Sequence, residues 1–219
     1  KIKEKGLLIS EYPNDIKAMP QNFLIRNGYA VAYTQRSKEI KGPVLVHIVT
    51  KKGKGHKTLL NAAKICKKLH PDFRFFIVGA GSFEEELKNY ARILGLNDVV
   101  HFTGFQNDVS AILNITDVNV NCSYISETSS LSLSEGMSIG IPCVASDIGG
   151  NTYIVKNEDI GLIFHAGDAK ALANALIRLY SDKELYKKCS LCALKRYKEE
   201  LNDKIMCRKM TAFYLKIYR

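Results

Sequence analysis

The sequence has no apolar run near the ~18–20 residues a membrane-spanning helix needs, and none of its 219 residues belongs to an internal repeat or low-complexity tract. No long apolar stretch opens it, so no signal peptide is visible. It begins with Lys1 rather than Met, and therefore reads as a fragment or a trimmed chain. Six cysteines occur, but only Cys189 and Cys192 form a CxxC, and no second pair at matching spacing completes a zinc site. Cys66, Cys122 and Cys143 sit in apolar patterns and read as small core residues. Cysteines read in this way make a reducing cytoplasm the expected location. The net charge of +10 admits nucleic acid, an anionic membrane surface or phosphorylated ligands. No aromatic-interleaved basic stripe accompanies it, which argues against nucleic-acid binding. Apolar content of 46% with 25% charged residues is that of a globular domain able to build a core without staples.

What is present is an alternation of strand and helix patterns from residue 43 onward. "PVLVHIV" (43–49) is short, apolar and β-branched, a buried strand. "KTLLNAAKICKKL" (57–69) places Leu59, Ala62, Ala63, Cys66 and Leu69 on one helical face. A strand at 73–81 leads to a helix with Phe83, Leu87, Tyr90, Ala91 and Leu94 on its apolar face, opened by a capping box of Ser82 and Glu85. Strands follow at 99–105, 117–122, 142–146 and 161–164, with short helices after 108 and near 131–139. Asp168 is placed to cap a helix carrying Leu172, Ala175, Leu176 and Leu179, and Ser181 with Glu184 to box the next one. The apolar face of the last stretch, from Ile205 to Ile217, needs a partner surface. Ahead of this, "GLLISEYP" (6–13) reads as a strand, and "FLIRNGYAVAY" (23–33) as helix or strand. Repeated βα units predict an α/β fold: a Rossmann-like parallel sheet with helices on both faces and a helical C-terminus. The division expected is an N-terminal segment, 1–42, and a Rossmann-like domain, 43–219. Ligands of such sheets bind beyond the carboxyl ends of the strands, here the loops at 50–56, 79–82, 103–107, 123–130 and 146–151.

The segment "ETSSLSLSEGMSIGIPCVASDIGG" (127–150) lies among these loops and holds two glutamates eight positions apart. With Glu127 in the loop and Glu135 two turns into the helix, the free N–H groups at the helix start form an anion site. A sugar–diphosphate–nucleoside, read end to end, suits that spacing. A plain helix cap with one helix-face acid is the alternative.

The segment resembles the donor-binding signature of the GT-B glycosyltransferases of family 4, whose pattern runs Glu-Gly-Phe-Pro/Gly-x-x-x-x-Glu-Ala, then Gly-x-Pro-Val-Val-Ala-Ser/Thr and a Gly-Gly loop. The resemblance continues through "KGHKTLLNAAKI" (54–65), "FRFFIVGAGSFEEELKNYARILGLNDVVHFTGF" (73–105) and "DVSAILNITDVNVNCS" (108–123), and covers about 54–200. It implies a metal-independent, configuration-retaining transfer of a sugar from a nucleotide diphosphate, without a cofactor. By position it implies that Glu127 orients the donor sugar and that Lys54 offsets diphosphate charge. Amides at Thr128, Ser129 and Ser130, with Leu131 beside them, contact phosphate. Glu135 holds the ribose, and Gly104 and Phe105 lie near the base.

Two features depart from the family. Its usual Gly-Arg at the end of the first strand is Ile48-Val49 here, with Lys51 and Lys52 as the nearest substitutes, and its Gly-Phe-Pro is Thr-Ser-Ser. The expected partners are a nucleotide sugar, a sugar or lipid-linked acceptor, and a separate acceptor domain, with a peripheral contact at the inner membrane face in keeping with such acceptors. The front of the chain resembles other families. "KGLLISEYPNDIKAMPQNFLIRN" (5–27) is similar to part of the DNA-processing protein DprA, and "EIKGPVLVHIVTKKGKG" (39–55) to a stretch of 1-deoxyxylulose-5-phosphate synthase. Together they imply a mosaic joined near 33 and 55. A non-catalytic α/β scaffold is the second functional reading, and a nucleic-acid-binding protein the third.

Overall fold

The computed structural model describes residues 53–125 and 127–217, and ahead of them the backbone of three strands. The first two, β1 (Phe23–Arg26) and β2 (Tyr29–Ala32), pair antiparallel with Phe23 opposite Ala32. The stretch for which helix and strand were both open is therefore a pair of strands. The expected strand at 6–13 lies outside the described residues, as do Lys51 and Lys52.

The third strand, β3 (Val44–Ile48), begins the alternation the sequence predicts. It is followed by α1 (His56–Leu69), β4 (Arg74–Val78), α2 (Glu84–Ile93), β5 (Val100–Gly104), α3 (Ser110–Ile115) and β6 (Val118–Asn121). Then come α4 (Leu131–Ser138), β7 (Cys143–Ser146), α5 (Gly150–Ile154) and β8 (Gly161–Phe164). Three helices close the chain: α6 (Ala169–Ser181), α7 (Lys183–Arg196) with a π-helical turn at Tyr197–Leu201, and α8 (Asp203–Ile217).

Strands β3 to β8 form one parallel sheet in the order β5-β4-β3-β6-β7-β8. This is the doubly wound Rossmann order, which reverses direction between β3 and β6. Two apolar clusters cover the faces. Val118, Val120, Val144, Leu162 and Phe164 point into the larger one, against the buried faces of α1 and α6. Cys143 and Ala145 point the other way, to Leu133 and Met137 of α4 and Ala193 of α7. The period-two alternation of a strand divides β7 between both cores.

The helix starts correct the sequence in detail. Ser82 caps nothing: α2 opens at Glu84 with Phe83 in the cap position and no side-chain cap bond. Its first turn is instead acidic, Glu84 to Glu86, which the positive end of the helix favours. Asp168 caps α6 as expected, accepting from the amides of Lys170 and Ala171, both at 2.9 Å. The following cap is Asp182, not Ser181, because α6 runs through Ser181; the Asp182 carboxylate accepts from the Leu185 amide at 2.9 Å. Leu69 is exposed, since the chain turns away at His70. Cys66, Cys122 and Cys143 are buried, and burial pushes the Cys66 thiol up to about 12. Cys189 is buried and donates to the Glu158 carbonyl, and Cys192 is half-buried. No cluster of three or more metal-ligating side chains, and no helix long and apolar enough to cross a membrane, occurs among the described residues.

Candidate functional site

The sheet order reverses between β3 and β6, and the two chain segments that leave the carboxyl ends of these strands meet there. After β3 comes Gly53-Lys54-Gly55. Both glycines have positive φ, 89° and 74°. A Cβ on Gly55 would stand 1.8 Å from the Cys122 carbonyl oxygen, so only glycine admits the contact. The Tyr124 amide donates to the Gly53 carbonyl at 2.9 Å. The glycine pair thus lays the post-β3 segment against the post-β6 segment, with Lys54 between them.

Lys54 Nζ lies 2.6 Å from Glu127 Oε2. The Glu127 side chain is 9% exposed, that of Lys54 23%. Ser123 Oγ donates to the same carboxylate oxygen at 3.0 Å, and Asn121 Nδ2 at 3.5 Å. Burial works to raise the Glu127 pKa, but the Lys54 ammonium and the Ser123 and Asn121 donors outweigh it and hold the carboxyl below its ordinary value. Glu127 is a paired, ionised carboxylate at the mouth of the sheet.

The backbone around Glu127 is clamped from the other side. The Gly150 amide donates to the Glu127 carbonyl at 2.6 Å. A Cβ on Gly149 would meet that carbonyl oxygen at 2.2 Å, and one on Gly150 the Thr128 carbonyl oxygen at 2.1 Å. The Gly-Gly loop after β7 is therefore what lets α5 approach the carboxylate loop.

Ser130 stands at the N-cap of α4, yet its side chain makes no capping bond. Its hydroxyl instead accepts from Asn121 Nδ2 at 2.7 Å and pairs with the Ser132 hydroxyl at 3.1 Å. Thr128, Ser129 and Leu131 are exposed beside it, with the Leu131 amide turned back to the Ser129 carbonyl at 3.1 Å. Glu135 is half-buried, on the second turn of α4. Gly104 (φ 64°) ends β5, two strands along the sheet edge from β3, and Phe105 beyond it is 72% exposed. The structure thus gathers Lys54, Glu127, Thr128, Ser129 and Ser130 at the reversal, with Glu135 along α4 and the Gly104–Phe105 turn farther along the same edge. A cavity of about 160 Å³ adjoins the Gly53-Lys54-Gly55 segment between the heads of α1 and α2, lined by Gly53, Gly55, Lys57, Phe83, Glu86 and Tyr124 among others, though not by the side chains of Lys54 or Glu127.

Sequence reasoning missed a buried polar layer beneath the glutamate: Asn121, Ser123, Ser146 and Asn151. Ser146 Oγ donates to the Ser123 carbonyl at 2.6 Å, and Asn151 Nδ2 reaches Ser146 Oγ at 3.1 Å and Asn121 Oδ1 at 3.4 Å. The available signal was the run Val-Asn-Val-Asn in β6. Its alternation reads as a half-exposed strand, but its asparagine face is buried.

The family of glycosyl transferases group 1 matches residues 37–196, well over half of the chain. The chain belongs to this family. Its fold is a single half of the GT-B type, with the helical C-terminus expected. Among similar proteins is an Escherichia coli UDP-Gal:alpha-D-GlcNAc-diphosphoundecaprenol alpha-1,3-galactosyltransferase, 39% identical over 118 residues, which are 53% of this chain and 30% of that one. The crystal structure of Anabaena Alr3699/HepE in complex with UDP and glucose aligns with a TM-score of 0.72 at 23% identity, over 80% of this chain and 48% of that one. The C-terminal domain of a group 1 glycosyl transferase, LpcC of Francisella tularensis, aligns with a TM-score of 0.69 at 23% identity, over 80% of this chain and 96% of that domain. At these identities the solved structures establish the fold. The chain spans less than half the length of the galactosyltransferase and of HepE. Neither the scaffold nor the nucleic-acid reading is favoured by these likenesses.

Proposed function

We propose that this chain is the donor-binding half of a retaining, metal-independent glycosyltransferase of the family 4 type, taking a nucleotide-diphosphate sugar at the β3–β6 reversal. The observation that carries the proposal is the Lys54–Glu127 pair, set at the reversal beside a helix start whose N-cap serine leaves the first-turn amides uncapped by a side chain. A diphosphate fits the Lys54 ammonium and the amides of the α4 start. The Glu127 carboxylate accepts hydroxyls of the donor sugar, and Glu135 accepts from the ribose diol. The turn at Gly104 and Phe105 flanks the base. In the transfer, the anomeric bond to the diphosphate breaks and the nucleoside diphosphate leaves with the electron pair, its growing charge offset by Lys54. An acceptor hydroxyl forms the new glycosidic bond on the same face, and its proton passes to the departing diphosphate oxygen.

The acceptor belongs to a second domain in this reading. The apolar side chains of α8, among them Met206, Met210, Phe213 and Tyr214, are exposed and supply a surface for that domain. A sugar or lipid-linked acceptor at the inner membrane face extends the same reading. The mosaic origin proposed for the front of the chain has junctions near 33 and 55, and the family match, which begins at 37, runs across the second of them. Homologues carrying all three segments in one continuous frame would overturn that part.

The test is calorimetric titration with UDP, GDP, ADP and their sugars. Micromolar binding of one nucleotide series, lost on Glu135→Ala, is the expected result. Binding of none of them overturns the donor reading.

A further inference from the structure

We infer that Asn121 is the positioning residue of this site: it ties the Glu127 carboxylate to the central sheet and draws Ser130 away from capping α4. This rests on the donor reading for its ligand, but its geometry is independent of any ligand. Asn121 is 5% exposed and lies in β6, which is paired on both edges, to β3 and β7, so its backbone cannot shift alone.

Both ends of its amide are engaged, and each partner belongs to a different piece of the site. Nδ2 donates to Ser130 Oγ at 2.7 Å and, at a longer 3.5 Å, to Glu127 Oε2. Oδ1 accepts from the Ser123 amide at 3.0 Å and from Asn151 Nδ2 at 3.4 Å. The direct reach to Glu127 is long for a hydrogen bond. The stronger route runs through Ser123, which Asn121 orients by its backbone and which then donates its hydroxyl to the same carboxylate oxygen at 3.0 Å.

The second effect concerns α4. A serine at an N-cap ordinarily turns its oxygen onto the N–H groups of the first turn. Ser130 does not, because its hydroxyl is held by Asn121. The side chain that competes with an anion for those amides is thereby removed from them. A neighbour supplies the control. Asn119 sits two residues earlier on the same strand face, is fully buried, and donates to the Ser132 carbonyl at 2.5 Å. It braces α4 without touching Glu127.

The experiment compares the wild-type chain, Asn121→Ala and Asn119→Ala. Residue-specific NMR titration of the Glu127 carboxyl in the free protein is the first reading. The expected result is a midpoint moved upward in Asn121→Ala, from the loss of its donors, and unmoved in Asn119→Ala, although both variants lose stability. Equal midpoints in all three proteins, or the same shift in both variants, would overturn the proposal. Should Asn121→Ala not fold, Asn121→Thr removes the same amide donor with almost no loss of volume.

The second reading is calorimetry with UDP, GDP and ADP. Asn121→Ala is expected to lose about tenfold in affinity, the scale of one charge-assisted hydrogen bond. Adding Ser130→Ala to it is expected to restore part of that loss, by removing the freed cap. No recovery in the double variant overturns the capping half of the inference. If the wild-type chain binds no nucleotide, the donor reading fails, and the titration alone decides whether Asn121 positions Glu127.

Discussion

Lys54 and Glu127 are 73 positions apart in the chain, and their side chains meet at 2.6 Å. Neither residue has a partner of opposite charge within its own segment that would bring it there. The meeting is made by the parallel pairing of β3 with β6 and by two glycines that let the outgoing segments touch.

The two members of the pair are expected to fail differently. Lys54→Met removes the charge that faces a diphosphate and should weaken nucleoside diphosphate and nucleotide sugar alike, by about tenfold or more. Glu127→Gln should spare nucleoside diphosphate affinity and erase the added affinity of the sugar. Calorimetry with both ligands on both variants checks the split.

The depressed Glu127 pKa has a defined sign for stability. A carboxyl whose folded value lies below its unfolded value of 4.5 stabilises the fold above that value and loses the contribution as pH falls through the folded one. Urea unfolding at pH 7 and pH 4 should show the wild type losing more stability on acidification than Glu127→Gln does. Equal losses would show that the pair does not contribute.

Gly149→Ala should be strongly damaging, though less so than Gly55→Ala, whose Cβ would meet the Cys122 carbonyl oxygen at 1.8 Å. At Gly149 the Cβ would meet the Glu127 carbonyl oxygen at 2.2 Å, and φ is 50°. Backbone lies on both sides of the contact, so relief requires the carboxylate loop to move; the expected cost is about 1–3 kcal/mol. Thermal unfolding and nucleotide titration check both consequences. Gly104→Ala, where a Cβ meets nothing within 4 Å, carries only the strain of its positive φ and should cost less.

The caps give a test that separates pattern from structure. Asp168→Ala and Asp182→Ala should each cost about 1 kcal/mol. Ser82→Ala and Ser181→Ala, the serines that the capping-box pattern names, should be close to neutral. Chemical denaturation of the four variants checks this.

Much of the fold was legible because period and punctuation are local properties. Strand patterns at 43–49 and 161–164, the helix face of Leu59, Ala62, Ala63 and Cys66, and the cap at Asp168 are all readable within a few residues, and all are present. The pattern of βα units also implied the Rossmann-like sheet. At the start of α7 the pattern named Ser181, and the cap is Asp182 because α6 runs through Ser181. The end of a helix depends on what the preceding one packs against.

The sequence by itself determined the class of this protein through its resemblance to a known family signature, because Glu127, Glu135 and the Gly-Gly loop that carry it lie in one short segment. Only the tertiary structure decided what surrounds the carboxylate. Asn121 is one polar position of an alternating strand in the sequence, and is a buried hub because α4 and α5 close over that face of β6. Lys54 was placed by resemblance, and its contact with Glu127 exists because the sheet order reverses between their strands. Both facts are long-range: burial and ion pairing depend on which segments the sheet brings together, and no local pattern in either segment records that.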